Sequence, residues 1–161
     1  MKKVICFNDP VGDMGFLSNW YVSNFSRDGY LYFAMEQYIT HRKALTFGDA
    51  EIAEQVMHSF DFEEMKALGR KVRNYDNRVW NGIRQIVVYE GLLAKFSQDP
   101  ELKQKLLATG DALLAEAEAY DPIWGIGLAM EDERNRDPEA WEGQNLLGFA
   151  LMQVRAKLAA E

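Results

Sequence analysis

The sequence predicts a mainly α-helical, single compact domain with a few short β-strands. Three observations carry that expectation. Apolar residues recur at helical spacing from Met35 onward, residues that start and stop helices bracket those stretches, and the β-prone runs are short and flanked by turn dipeptides. With 161 residues, 48% of them hydrophobic and 27% charged, the chain has the length of one domain, residues 1–161, and shows no repeat, linker or low-complexity tract.

Val4 to Phe7 and Gly29 to Phe33 are β-prone and bounded by Asp-Gly signals, so a small strand pair is expected within the first 33 residues. From Met35 the period becomes helical, with Met35, Tyr38, Ile39 and Arg42 on one face and Glu36, Thr40 and Lys43 on another. Asp49 is placed to cap a helix over residues 50–58. Asp61 with Glu64 resembles a capping box for a third helix, and Gly69 suits the position just past its end. The longest helix should run from about Asp76 to Phe96 on a buried stripe of Trp80, Ile83, Val87 and Ala94. Glu90 lies on that stripe and needs a partner, for which the adjoining basic stretch at 66–84 offers arginines. Asp99-Pro100-Glu101 opens another helix that Gly110 stops. Residues 113–119 alternate as a short strand or a weak helix, and Asn145 to Ala159 form the last helix.

Charge narrows the function. At −7 overall, the chain disfavours unselective attraction to phosphate backbones, so an anionic ligand must be met by a local basic cluster. Residues 66–95 supply one: Lys66, Arg70, Lys71, Arg73, Arg78, Arg84 and Lys95 face only Asp76 and Glu90, a net +5. Residues 111–142 run the other way, at −8, so much of 129–142 reads as a solvated loop. One cysteine, Cys6, makes no internal disulfide, and no apolar stretch reaches the ~20 residues of a membrane span. A cytoplasmic protein without membrane contact is the expectation.

Two groups of residues carry chemistry. Glu36 and Lys43 lie two helical turns apart on one side, able to serve a common cleft if that face is covered. By spacing alone the same stripe also describes an exposed polar face, the commoner outcome. Asp121-Pro122-Ile123-Trp124-Gly125-Ile126-Gly127-Leu128 combines an acid, an indole and two glycines, suited either to a planar ligand or to a turn anchored by a buried tryptophan. His41 and His58 lack metal-ligand spacing, and no Walker loop, G-x-G-x-x-G or G-x-S-x-G occurs, so no metal or cofactor is expected.

Six segments, taken in order, resemble the NADAR/YbiA-like family: Phe16 to Trp20, Met35-Glu36-Gln37-Tyr38 through Lys43-Ala44, Ala67 to Arg73, Ala94-Lys95-Phe96, Asp121 to Leu128, and Asn145 to Met152. The resemblance implies a mainly helical N-glycosidase that cleaves the ribosyl–amine bond of early riboflavin-pathway phosphates or removes ADP-ribose from guanine bases. Carried over by motif are Glu36, Lys43, Trp80 and Asp121, of which Glu36, Lys43 and Asp121 would be catalytic. Substrate would be held by Asn19, Arg70, Arg73, Trp80, Trp124, Gly125 and Gly127. Some members carry histidine where this chain has Gln37. The implied partner is a small nucleotide or an ADP-ribosylated guanine, with contact to ADP-ribosylated nucleic acid as a further option. The rival from another class is a non-catalytic module that binds ADP-ribose.

Breaking a bond between ribose C1 and nitrogen passes through an oxocarbenium-like state that needs negative charge near C1, a proton for the leaving base and a water. Glu36 suits the water or a ribose hydroxyl, and Asp121 suits charge stabilisation or proton transfer. A second route has a neutral Lys43 attack C1 of the opened sugar to give an imine. Trp80 or Trp124 would stack on the base, Arg70 and Arg73 would hold phosphate, and the Gly125 and Gly127 amides would add to that hold.

Overall fold

The structure is a computed structural model that describes residues 2–161. Chain contacts divide it into two units, residues 22–95 and residues 2–21 with 96–161.

The first unit begins with an antiparallel hairpin of β2 (Phe25–Arg27) and β3 (Tyr30–Tyr32), preceded in the chain by β1 (Val4–Phe7). Its two-residue turn places Asp28 and Gly29 at φ 54° and 84°, the left-handed pair that matches strand twist. Helices α1 (Met35–Thr46), α2 (Ala50–Met57) and α3 (Phe62–Gly69) follow, then α4 (Asn77–Gln98). Asp49 accepts from Ile52 N, and Asp61 from Glu63 N and Glu64 N, so both helices start where the sequence placed their caps. Ala44, Ile52, Ala53, Val56, Leu68 and Val72 form the core among α1, α2 and α3.

Two glycines set how closely these helices approach. A Cβ on Gly91 of α4 would stand 2.2 Å from the Tyr38 ring, so the bare backbone makes room for Tyr38, whose hydroxyl donates to Val87 O at 2.8 Å. Gly69 ends α3 rather than following it, and its role is contact, since a Cβ there would stand 3.3 Å from Thr40 Cγ2. Thr40, expected on the polar stripe, is buried for that reason. Gln37 is buried too. It accepts from Phe33 N at 3.0 Å and donates to Val56 O at 3.3 Å, fixing the entry to α1 against α2. Glu90 finds its arginine at 2.7 Å, but in Arg27 of β2, not in the basic stretch.

In the second unit β1 pairs in parallel with β4 (Leu113–Glu116), with Val4 opposite Leu113 and Phe7 opposite Glu116. Residues 113–116 are thus the strand of the two readings left open, and the N-terminal third contributes to two strand pairs rather than one. Helix α5 (Pro100–Ala108) is capped by Asp99 and followed by Gly110 at φ 65°; α6 (Leu146–Ala159) ends the described chain. The acidic segment is irregular and largely exposed, yet pinned. Arg134 pairs with Asp132 at 2.8 Å and Glu142 at 2.9 Å, and Trp141 Nε1 donates to Asn135 O at 2.8 Å. No helix among the described residues is long and apolar enough to cross a membrane.

Candidate active site

The contact between Thr40 and Gly69 draws the C-terminal end of α3 against α1, and Lys43, one turn further along α1, uses it. Lys43 Nζ donates to Gly69 O at 2.9 Å and lies 4.6 Å from the centre of the Tyr75 ring. The amine is half-buried. Burial lowers its pKa from the usual lysine value, and the Arg70 guanidinium lowers it further. Arg70 is exposed and caps α3 through its backbone N–H, and its guanidinium has no hydrogen-bond or ion-pair partner among the described residues. Glu36 is half-buried in the first turn of α1, on the side of the helix that carries Lys43. Tyr38 and Gln37, packed as described above, hold that helix in place from its other sides.

Arg73 is engaged differently from Arg70. Asp49, fully buried, accepts from Arg73 N at 2.8 Å, from Arg73 Nη2 at 2.9 Å and from Arg73 Nε at 3.3 Å, and Glu51 lies 3.4 Å from the same guanidinium. These Arg73 hydrogen bonds hold the Asp49 carboxyl well below the usual carboxylate range. The cap of α2 therefore also fastens the segment that follows α3, and with it the turn carrying Gly69 and Arg70. Trp80 is buried near the start of α4.

Asn19, Asp121, Trp124, Gly125 and Gly127 belong to the other unit. Asn19 Oδ1 is buried and has no hydrogen-bond partner there. Asp121 Oδ1 accepts from Ile123 N at 3.0 Å and Trp124 N at 2.9 Å, so one carboxylate oxygen shapes the tryptophan turn. The glycines serve close approach. A Cβ on Gly125 would stand 2.8 Å from Glu116 O, and Gly127 combines φ 72° with Glu142 backbone 3.0 Å from its would-be Cβ. Gly125 O accepts from Asn145 N, and Ile126 exchanges bonds with Glu116 and Glu142, so the loop is stitched to β4 and to the start of α6.

Spacing did not reveal Lys95. Counted with the basic stretch, it is 1% exposed in α4, and burial brings its pKa down to about 7. An unfolded lysine keeps its proton to about pH 10. Between about pH 7 and 10 the unfolded state thus binds more protons, and stability rises with pH by at most about 1.4 kcal/mol per unit. Below about pH 7 both states are charged and this rise is absent. Above about pH 10 buried Tyr32 and Tyr38, whose pKa values burial raises, reverse the trend. Urea unfolding of Lys95→Met across that window should show a flatter slope than the parent; an unchanged slope would mean the amine stays charged.

A family model described as the NADAR domain matches residues 6–159, and the chain belongs to that family. N-glycosidase R617 of Acanthamoeba polyphaga mimivirus is 39% identical over 86% of this chain and 84% of its own length. Riboflavin biosynthesis protein VVA0006 of Vibrio vulnificus is 31% identical over 98% of this chain, which spans 39% of that longer protein. N-glycosidase YbiA of Escherichia coli is 29% identical over 98% of this chain and 90% of its own. The NMR structure of E. coli YbiA superposes with a TM-score of 0.81 at 28% identity, covering 99% of this chain and 86% of that one.

Proposed function

We propose that the chain hydrolyses the bond between ribose C1 and a base or amine nitrogen in a ribosyl-phosphate or ADP-ribosyl substrate. Membership of the NADAR family, with proteins named N-glycosidase at 39% and 29% identity over most of both chains, makes it a hydrolase of N-glycosyl bonds. The observation that carries the finer reading is Lys43: an amine held against Gly69 O with a lowered pKa, beside an Arg70 guanidinium with no hydrogen-bond or ion-pair partner among the described residues. Arg70 supplies a phosphate hold by charge-assisted hydrogen bonds. Arg73, spent on Asp49, braces the turn that carries Arg70.

Hydrolysis breaks C1–N, forms C1–O from water and returns a proton to the leaving nitrogen. On the direct route Glu36 takes the water's proton or orients the water; on the second, a neutral Lys43 attacks C1 of the opened sugar, the amine leaves as the imine forms, and water then hydrolyses the imine. Of the two substrate classes, a small ribosylaminopyrimidine phosphate is favoured by the −7 net charge and by the riboflavin-pathway name of the Vibrio relative. Incubation with that phosphate and, separately, with ADP-ribosyl-guanosine should release free amine or base, faster from the first. Saturable binding of both without release would mean a recognition module instead.

Asp121 is tested apart from its loop. Asn at 121 still offers an Oδ1 to Ile123 N and Trp124 N, so Asp121→Asn should keep the melting temperature. If the charge works in catalysis, turnover falls by roughly 10²-fold or more. Undiminished turnover would leave Asp121 a turn residue only.

A further inference from the structure

A hollow of about 360 Å³ opens between the β2–β3 hairpin, α1 and α2, lined by Tyr30, His41, Leu45, Ala53, Glu54 and Met57. That is within the ~300–1,000 Å³ range of small-molecule sites. His41 and Leu45 stand about 140–180° round α1 from Glu36 and Lys43, so this face is not the one described above. Besides the Tyr30 phenol, two of its lining side chains are polar.

The first is His41, 2% exposed, with Nδ1 2.7 Å from the Tyr32 hydroxyl and the Tyr30 ring packed against it at 4.5 Å. Burial brings the His41 pKa down to about 4, with the Arg42 charge adding to the effect, so the imidazole is neutral at physiological pH. Tyr32 is buried and its hydroxyl has no other acceptor among the described residues. A buried hydroxyl proton needs an acceptor, so Tyr32 donates to Nδ1. The ring proton then sits on Nε2, a donor with no partner in the described chain. The second is the exposed Glu54 carboxylate, an acceptor.

We propose that this hollow is a second small-molecule site, built for a flat ring that carries an uncharged amide. The amide carbonyl accepts from His41 Nε2, its N–H donates to Glu54, and the ring packs on Leu45, Ala53, Met57 and Tyr30. An anion is disfavoured by Glu54, and a bare cation leaves Nε2–H without an acceptor. An amide answers both groups at once.

Benzamide, benzoate and N,N-dimethylbenzamide separate these demands, because they share a ring but differ in charge and donor. With methyl-labelled methionine, NMR titration of the full chain should show the Met57 signal shifting saturably with benzamide, with Kd on the order of 1 mM. The other two probes should bind at least about tenfold more weakly. His41→Phe should abolish the benzamide shift. Glu54→Gln, on the surface, keeps the fold and should bring benzoate closer to benzamide, which decides the matter if His41→Phe does not fold. No saturable shift, or benzoate binding as well as benzamide, overturns the proposal.

Discussion

Asn145→Ala is expected to lower the unfolding free energy by roughly 3–6 kcal/mol, summing two lost buried hydrogen bonds and one strained residue. Asn145 is fully buried at φ 53° and ψ 41°, just before α6. Its Oδ1 accepts from Glu116 N at 3.1 Å and its Nδ2 donates to Leu114 O at 2.9 Å. One edge of β4 is paired with β1; the asparagine amide serves these two groups as a further strand would. A two-stranded sheet is marginal alone, so this pairing matters more than two bonds on a surface. Alanine strands a buried N–H and a buried carbonyl and must also hold a left-handed backbone. Asn145→Gly removes the bonds without the strain, so it should lie about 1 kcal/mol above alanine in stability. Chemical denaturation of the three proteins measures both increments. Equal stability of parent and Asn145→Ala would show that water replaces the amide at β4.

The same residue shows what the sequence exposes and what it hides. Asn145 was legible as a helix start because that signal is local, whereas its bonds to Leu114 and Glu116 span 31 and 29 residues. Asp49, Asp61 and Asp99 could be placed as caps because a capping side chain reaches only two or three residues ahead. Asp49's second engagement, with Arg73, spans 24 residues and left no local trace. Gly69 looked like a stop signal, and no local pattern singled out Gly91 within its helix. Their actual service, room for Thr40 and for Tyr38, is defined by a partner helix. Lys95 counted with the basic cluster because helical periodicity describes one face, and α4 is covered on more than one. Glu36 and Lys43 shared a face by arithmetic; that Lys43 is drawn in by Gly69 O depended on how close α3 comes.

On the route through an imine, Lys43→Ala is expected to cut turnover on the order of 10³-fold while the protein stays folded, because the attacking amine itself is removed. The structural loss is small: one hydrogen bond to Gly69 O and a contact with an exposed tyrosine, together about 1–2 kcal/mol. Glu36→Gln should be comparably inactive and equally well folded, and retained activity in both would remove the proposed site. The chemical route is separable by pH and by trapping. If the free amine attacks C1, kcat/KM rises with pH along a limb set by the lowered Lys43 pKa. Arg70→Gln removes a charge that lowers that pKa, so the limb should move to higher pH, a change that lost phosphate binding alone does not cause. Cyanoborohydride should then leave a reduced sugar adduct on Lys43, found by peptide mass. If water attacks directly, no adduct forms and the Arg70→Gln limb stays in place.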